Sequence, residues 1–344
     1  LTFFLEDYMD EFILSLFIAD NKLKKTTLYQ LLVGKHTTSV LCYAYFHDLL
    51  PFFSVFPSLK EEEFYQILAK INKQGYIKEE KQQISLVKKL YSSNLLQTPA
   101  FQPLNFFKFG RKEEVCWRSV RFLLQAVSFL GKETNYVPLE NAPIYTQRVR
   151  TVIHQYNGNL ADTLYQETAE ILEVLSEEHA DLLAQTLSGY QQEGAAFFQL
   201  VADKYTQYPW LDLYKSAAIH HFLAQMIKKQ EYLLYKFLRP FLLQNYNQSM
   251  LKTRKLIQQG WSLDKVMQQR KLKKGTIQDH LIEWALADSA FPFSNFFSQK
   301  TQKELEKLPI NSFAYPFKEL KGDFNASFLE IRLYQIWRKK ESLC

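Results

Sequence analysis

The sequence predicts a mostly α-helical protein of two or three domains, and three observations support this fold class. Only 10 Gly and 11 Pro occur in 344 residues, which favours long helices over many turns. Aromatic residues make up 15 % of the chain, enough to build buried cores. Apolar residues also recur at helical spacing in several segments. We predict a winged-helix-like N-terminal domain, a helical middle and a C-terminal helix-turn-helix module.

Residues 1–90 are predicted to form the winged-helix-like domain. The pattern is a series of helices followed by a hairpin, whose two short strands cover residues 76–79 and 83–87. Lysines and glutamates balance each other in this region. Binding of nucleic acid and binding of protein are therefore equally favoured for this domain.

Residues 91–112 are predicted to be a linker, and residues 113–244 an acidic helical middle domain. The linker contains two prolines and several turn-forming residues. Residues 151–203 contain no Lys or Arg and nine acidic residues. Such a run is commonly only a solvated surface, but a charge of this size also suits a face that accepts a basic partner. The glutamates predicted for a partner-binding face are Glu167, Glu170, Glu173, Glu177 and Glu178.

Residues 245–344 form the last predicted domain, and residues 253–288 have the pattern of a helix-turn-helix. Gly260 lies where a helix C-terminus favours positive φ, and Ser262 can cap a short second helix over residues 263–270. The third helix carries an apolar stripe predicted to face inward: Ile277, Leu281, Trp284 and Ala285. This arrangement of helices is one that DNA-binding modules use. A last helix is predicted from about residue 326, with Asn325 as its cap.

Charge distinguishes the helix-turn-helix from the rest of the chain. Residues 251–275 contain eight basic residues and one acid, a net charge of +7, whereas the whole chain carries +6. A basic surface confined to one such motif suits binding to backbone phosphates. The residues predicted to contact DNA are Lys252, Arg254, Lys255, Arg270, Lys271, Lys273, Lys274, Thr276 and Gln278.

The outward face of the third helix argues against sequence-specific contacts. Asp279 and Glu283 would meet phosphate with the wrong sign, and only Thr276 and Gln278 suit base edges. The apolar pair formed by Ile282 and Leu286 predicts that another element covers the second half of this helix. We therefore expect backbone binding. The alternative is a module of three helices that docks protein.

No catalytic or metal-binding motif is recognisable. The glycine at Gly34 lacks the residues that a phosphate-binding loop requires around it. His220 and His221 are adjacent on a predicted helix and point about 100° apart, so we expect one buried and one surface histidine. The three cysteines are too scattered for a disulfide framework or a zinc site. The sequence thus predicts a protein that is not an enzyme and that has no cofactor or metal.

The N-terminal region does not have the pattern of a signal peptide. Acidic residues precede the apolar run at residues 12–19, where a positively charged region would be required. That run is also shorter than the roughly 20 residues that span a bilayer. The expected location is the cytoplasm, without membrane association.

Three stretches carry a resemblance to a known family. They are LYQLLVGKHTTS (residues 28–39) followed by FPSLKEEEFYQILAKINKQGYI (56–77), LLAQTLSGYQQEG (182–194), and the helix-turn-helix with its tail LKGDFNASFLEIRLYQI (320–336). With these stretches the chain resembles the bacterial YpbB-like family, helix-turn-helix proteins typically encoded beside a RecQ-type DNA helicase. The last unit is similar to the helix-turn-helix domain at the C-terminus of some RecQ-type helicases. Lys273 stands where a capping Ser or Thr is common, which is a departure from the usual motif.

The resemblance implies a non-enzymatic accessory factor in DNA repair or replication, with DNA and a RecQ-type helicase as partners. Two alternatives come from other functional classes. One is a sequence-specific transcription regulator, and the other is a protein-interaction scaffold without nucleic acid contact. The sequence leaves open which helicase is bound, which DNA form is preferred and which oligomeric state the protein adopts.

Overall fold

A computed structural model describes residues 2–18, 21–88, 95–132, 135–297, 299–307 and 326–342, with side chains from residue 8 onward and without those of residues 299 and 300. Helices dominate, and the described strands form one small sheet. The predicted mostly α fold class is confirmed. None of the described helices combines the length and the apolar character that crossing a bilayer requires.

The secondary structure follows the chain in this order. The α-helices are α1 (Thr2–Ser15), α2 (Lys25–Leu32), α3 (Thr38–Phe46), α4 (Glu61–Lys73), α5 (Phe106–Phe109), α6 (Glu113–Ser128), α7 (Pro143–Gln155), α8 (Leu160–Glu173), α9 (Glu177–Gln185), α10 (Phe197–Leu200), α11 (Trp210–Met226), α12 (Leu233–Leu242), α13 (Gln248–Gln258), α14 (Leu263–Arg270), α15 (Lys274–Ala287), α16 (Gln299–Leu305) and α17 (Phe328–Glu341). The strands are β1 (Lys22–Lys24), β2 (Ile77–Glu80) and β3 (Gln83–Leu86). Short 3₁₀ helices cover Leu50–Phe52, Asp203–Tyr205, Leu243–Asn245 and Phe293–Phe296.

The chain folds into two compact units whose boundaries differ from the predicted ones. The first unit consists of residues 1–34 and 51–245, and the second of residues 35–50 and 246–344. Helix α3 therefore belongs with the C-terminal helices, although residues 1–90 were predicted as one domain. The rest of the predicted winged-helix-like domain lies with the predicted middle domain in the first unit.

The segment predicted as a linker, residues 91–112, contributes to the core of the first unit over its described part. Its apolar side chains are buried: Leu96, Phe101, Leu104, Phe107 and Phe109. The ring of Phe101 packs edge-on against Trp210 and Tyr214 of α11. Prolines and turn residues fit a buried irregular segment as well as a linker, and burial of these large side chains favours the packed form.

The N-terminal part of the first unit combines helices with the small sheet. Strand β3 lies between β1 and β2, and both pairs are antiparallel. Ile84 lies opposite Leu23 on one side and Glu79 on the other. Leu23, Ile77 and Ile84 are buried, which anchors the sheet. The predicted hairpin is confirmed, and the winged-helix assignment stays a prediction.

The chain leaves the first unit after Gly34 and returns to it at residue 51, close to the same point. Ser54 N donates to Leu31 O at 2.9 Å, and Phe56 N donates to Leu32 O at 2.9 Å. Gly34 has φ of +79°, and a Cβ there would lie 2.4 Å from Ser54 Oγ. Glycine is required at this position because both the backbone conformation and the close approach exclude a side chain.

Helix α15 is the centre of the second unit, where it packs against α3, α13, α14 and α17. Helix α17 also fixes the C-terminal end of α3, because the buried Lys339 ammonium donates to Tyr45 O at 2.8 Å and to Phe46 O at 2.9 Å. Helix α17 begins after Ser327, whose hydroxyl accepts from Glu330 N. The predicted cap Asn325 lies outside the described residues.

Candidate nucleic-acid interface

The predicted helix-turn-helix is formed by α13, α14 and α15. Gly260 has φ of +84° after the end of α13, and Ser262 Oγ accepts from Lys265 N at 3.3 Å. Helix α14 then covers the predicted residues 263–270 and ends at Lys271, which adopts the left-handed conformation with φ of 51°. The sequence predictions for the first turn and for α14 are confirmed.

Helix α15 is buried along most of its length. The predicted stripe of Ile277, Leu281, Trp284 and Ala285 is buried, as expected. Ile282 and Leu286 on the opposite face are buried as well, and α3 and α17 pack against this helix. The prediction that another element covers the second half of the helix is confirmed. The exposed residues of α15 are Lys274, Gly275 and Asp279, all in its N-terminal half.

The two carboxylates expected to repel phosphate have partners within the second unit. Thr38 Oγ1 donates to Asp279 Oδ1 at 2.5 Å. Glu283 is buried, accepts from Asn247 Nδ2 at 3.0 Å and lies 3.3 Å from His36 Nε2. The sequence did not predict Thr38 and His36 as partners of these carboxylates, because they lie more than 200 residues before α15 and no local pattern connects them to it. Glu283 is therefore turned away from a ligand by its burial, whereas the Asp279 carboxylate stays exposed beside Thr38.

The predicted DNA-contacting residues fall into three groups. Five lysines are exposed: Lys252, Lys255, Lys271, Lys273 and Lys274. Thr276 and Gln278 are partly buried. The two arginines bind within the second unit, and Arg254 forms an ion pair of 2.8 Å with Asp288 and lies over the Trp284 ring. Lys265, which is also exposed and lies over the Trp261 ring, is a further cation of this surface.

Arg270 holds the three helices of the motif together. Its guanidinium donates to Ser249 O at 2.6 Å and to Thr253 Oγ1, both on α13. Thr253 Oγ1 lies 2.8 Å from His280 Nδ1 on α15. The Thr253 hydroxyl thus connects Arg270 to α15, and in its hydrogen bond with His280 either atom can be the donor. Burial, with the positive charge of Arg270 adding to it, lowers the pKa of His280.

Exposed lysines and backbone N–H groups lie together at the N-terminal end of α15. Lys273 occupies the N-cap position without a side-chain hydrogen bond to the first turn. The N–H groups of that turn therefore lack the side-chain acceptor that Ser or Thr would provide. Lys271, Lys273 and Lys274 are exposed at the same end. Free N–H groups, the helix dipole and three ammonium groups together favour an anion.

The predicted partner-binding glutamates of the first unit do not form one free face. Glu167 accepts from Leu233 N at 2.7 Å and from Leu234 N at 2.9 Å, and thereby caps α12. Glu170 accepts from Tyr232 Oη, and this hydrogen bond lowers the pKa of Glu170. Glu173, Glu177 and Glu178 are exposed. Of the five predicted glutamates, these three are therefore the ones that remain exposed.

The adjacent histidines behave as predicted, since His220 is buried and His221 is partly exposed. His220 Nδ1 accepts from Asn105 N at 2.9 Å. His221 Nδ1 lies 3.1 Å from Nδ1 of the buried His179, whose Nε2 lies 3.0 Å from Ala100 O. Burial, with the His221 ring adding to it, lowers the pKa of His179 to about 4. No group of histidine, cysteine or carboxylate residues in the described ranges is arranged to hold a metal ion.

Two comparisons with known proteins agree with this geometry. Residues 249–335 match a family described as a helix-turn-helix domain. The protein YpbB of Bacillus subtilis (strain 168) is 23 % identical over 226 residues, and the match covers 64 % of this chain and 64 % of that protein. No solved structure matches the chain. These similarities confirm the predicted resemblance to YpbB-like helix-turn-helix proteins.

Proposed function

We propose that the protein is a non-enzymatic DNA-binding accessory factor that works with a RecQ-type helicase in DNA repair or replication in the cytoplasm. The observation that carries the proposal is the cluster of Lys271, Lys273 and Lys274 around the uncapped N-terminus of α15. Such a cluster provides charge and backbone donors for phosphate groups.

The burial of α15 favours contacts to the DNA backbone over contacts to bases. A recognition helix enters the major groove with several exposed side chains at its N-terminal end. Here Ile277 and residues 280–286 are buried, so only the first turn, the partly buried Gln278 and the exposed Asp279 can face a groove, and Asp279 has the wrong sign for phosphate. We infer binding that depends weakly on sequence.

The helicase partner rests on the family resemblance, and the acidic segment offers a surface for it. Glu173, Glu177 and Glu178 are exposed and belong to a stretch without basic residues. Complementary charge would speed association with a basic partner and help to orient it. A pull-down of a RecQ-type helicase by the protein and by its Glu173→Gln, Glu177→Gln, Glu178→Gln variant tests this part, because equal recovery would remove the acidic surface from the proposal.

The test of DNA binding is a titration of duplexes of random and of fixed sequence across a salt series, with the full chain. The logarithm of the binding constant should fall with the logarithm of the salt concentration, with a slope of about −0.9 for each phosphate neutralised and about three to five phosphates engaged. The variant Lys271→Glu, Lys273→Glu, Lys274→Glu should bind all sequences more weakly and flatten the slope. The matched control reverses Lys204, Lys228 and Lys236, which are exposed lysines of the first unit.

Other outcomes favour the two alternatives. A transcription regulator should lose about 1–3 kcal/mol at a single base position when Gln278 is changed to Ala. Undetectable binding by the full chain, or binding that does not respond to salt, would support a scaffold without nucleic acid contact. Equal loss in the triple variant and in its control would show that the helix-turn-helix is not the binding surface.

A further inference from the structure

The first unit contains an open groove of about 440 Å³ that the DNA-binding proposal does not use. Helices α6 and α8 and the turn at residues 187–192 form its walls. The lining is mainly apolar, with Leu124 and Val127 from α6, Leu164 and Leu172 from α8, and Leu187 from the turn. A groove of this volume holds one or two large side chains or a small ligand.

Two hydroxyl groups in the walls are already hydrogen-bonded within the protein. Ser128 Oγ donates to Gln125 O at 2.7 Å and accepts from Tyr190 N at 2.9 Å. Thr168 Oγ1 donates to Leu164 O at 2.6 Å. These groups are therefore poorly placed to orient a polar ligand, and burial of apolar surface is the main gain that the groove offers to an occupant.

The edge of the groove exposes a large aromatic side chain. Tyr165 of α8 lines the groove and is 76 % exposed. A tyrosine beside an apolar groove is the residue type that interfaces use most effectively, because it adds contact area and one hydrogen-bonding group. This position indicates a macromolecular occupant that extends beyond the groove.

The charge around the groove is acidic on the side of α8 and of the turn. Glu173 directly follows the lining residue Leu172, and Glu193 directly follows Gln192, and both glutamates are exposed. They belong to residues 151–203, which have nine acids and no Lys or Arg. On the α6 side, Lys132 lies 4.8 Å from the Tyr190 ring. The net charge favours a basic occupant.

We propose that this groove docks a basic segment of a partner protein. One or two large apolar side chains of the segment fill the groove, and Lys or Arg residues beside them contact Glu173 and Glu193. The inference goes beyond the DNA binding proposed above and does not depend on it, because the groove and the helix-turn-helix are in different units. It shares Glu173 with the acidic surface proposed for the helicase, and Ala169→Leu tests the groove separately because it leaves every glutamate in place.

Two variants and two matched controls test the groove. Ala169 lines the groove on α8, so Ala169→Leu fills it with a residue that also favours helix. Its control is Ala184→Leu, an exposed alanine on α9. The pair Glu173→Gln, Glu193→Gln removes the acidic edge, and the pair Glu61→Gln, Glu62→Gln on α4 removes two exposed carboxylates elsewhere.

The probes are three labelled synthetic peptides of about 15 residues, long enough to form helix on binding. The first peptide is rich in Lys and has a central Leu-Phe pair. The second has Ala in place of Leu-Phe, and the third has Glu in place of Lys. Binding to the full chain is measured by fluorescence anisotropy. The first peptide should bind at least about tenfold more tightly than the others, as expected when a buried anchor or its complementary charge is lost.

The protein variants should separate the two contributions. Ala169→Leu should lower the affinity for the first peptide about tenfold or more, whereas Ala184→Leu should leave that affinity unchanged. The Glu173→Gln, Glu193→Gln pair should weaken it severalfold at low salt and less at high salt, since exposed charges are screened. The control pair should have little effect. Circular dichroism and DNA affinity should be unchanged in all four proteins, which separates failure of this inference from failure of the proposed function.

Several results would overturn the inference. They are no binding of the first peptide, equal binding of the Glu or Ala peptide, or undiminished binding by Ala169→Leu. If Ala169→Leu does not fold, Tyr165→Ala at the exposed edge takes its place and must weaken the first peptide. A dimer in sedimentation velocity that disappears with either groove variant but not with Ala184→Leu would assign the groove to a second copy of this chain instead.

Discussion

The basic helix-turn-helix and the acidic segment are both strongly charged, yet the structure uses their charges differently. In the helix-turn-helix the exposed cations are lysines, while Arg254 and Arg270 bind within the second unit. In the acidic segment Glu167 caps a helix 66 residues further along the chain. A run of like charges therefore predicts a binding surface only through those residues whose side chains do not already cap a helix or form an ion pair or hydrogen bond within the protein.

The largest expected effect concerns Arg270, whose side chain binds within the helix-turn-helix, in contrast to the exposed lysines of the same motif. Arg270→Ala removes the hydrogen bonds to Ser249 and Thr253 and leaves the Ser249 carbonyl and the buried Thr253 hydroxyl without this donor. We expect the free energy of unfolding to fall by about 2–4 kcal/mol in urea denaturation. Lys255→Ala on the same surface should change it by no more than about 0.5 kcal/mol. Similar losses in both variants would remove the distinction between these two kinds of cation.

The second prediction concerns His179, which lies in α9 of the acidic segment. The pKa of His179 is about 4 in the folded protein and 6.5 in the unfolded chain. Between these pH values the unfolded chain therefore binds more protons than the folded protein. The free energy of unfolding should therefore fall as the pH decreases from about 6.5 to about 4, by at most about 3 kcal/mol from this group. Above pH 6.5 the group should have no effect.

Chemical denaturation at a series of pH values measures this dependence. His179→Gln should show a shallower loss of stability in acid, because it has no group to protonate. His154→Gln, at an exposed histidine of α7, is the control and should retain the slope of the original protein. An unchanged slope in His179→Gln would assign the acid sensitivity to other groups.

The smallest effect distinguishes the glutamates within the acidic segment. Glu167→Ala removes the acceptor for two backbone N–H groups at the start of α12 and should lower the free energy of unfolding by about 1–2 kcal/mol. Glu173→Ala, at the exposed end of α8, should change it by no more than about 0.5 kcal/mol. Thermal unfolding of both variants measures the difference. Equal stability would mean that the cap of α12 contributes nothing and that all these glutamates behave as surface residues.

The sequence predicted the features that depend on neighbouring residues. Gly260, Ser262 and the bounds of α14 follow from backbone conformation and capping, which act within a few residues. The apolar pair Ile282 and Leu286 also showed that α15 needed a cover.

The remaining features depend on contacts between distant parts of the chain. Nothing in the local pattern of α3 indicates that it packs against α15 rather than against its sequence neighbours. The capping of α12 by Glu167 could not be predicted either, because the two lie 66 residues apart and no sequence pattern links them. Periodicity identifies which face of a helix is buried but not what buries it.

Residues 35–50 belong to the second unit although the chain on both sides of them belongs to the first, and this affects the order in which the protein can fold during synthesis. Helix α3 leaves the ribosome more than 200 residues before α15 and longer still before α17. At about 5–20 residues per second, the start of α15 follows the end of α3 after roughly 10–45 s, and the start of α17 after roughly 15–55 s. During that interval α3, whose Val40, Leu41 and Ala44 are buried in the complete fold, lacks its packing against α15. The nascent chain therefore carries an unpaired apolar helix, and protection of that helix from aggregation is a requirement that this topology places on the cell.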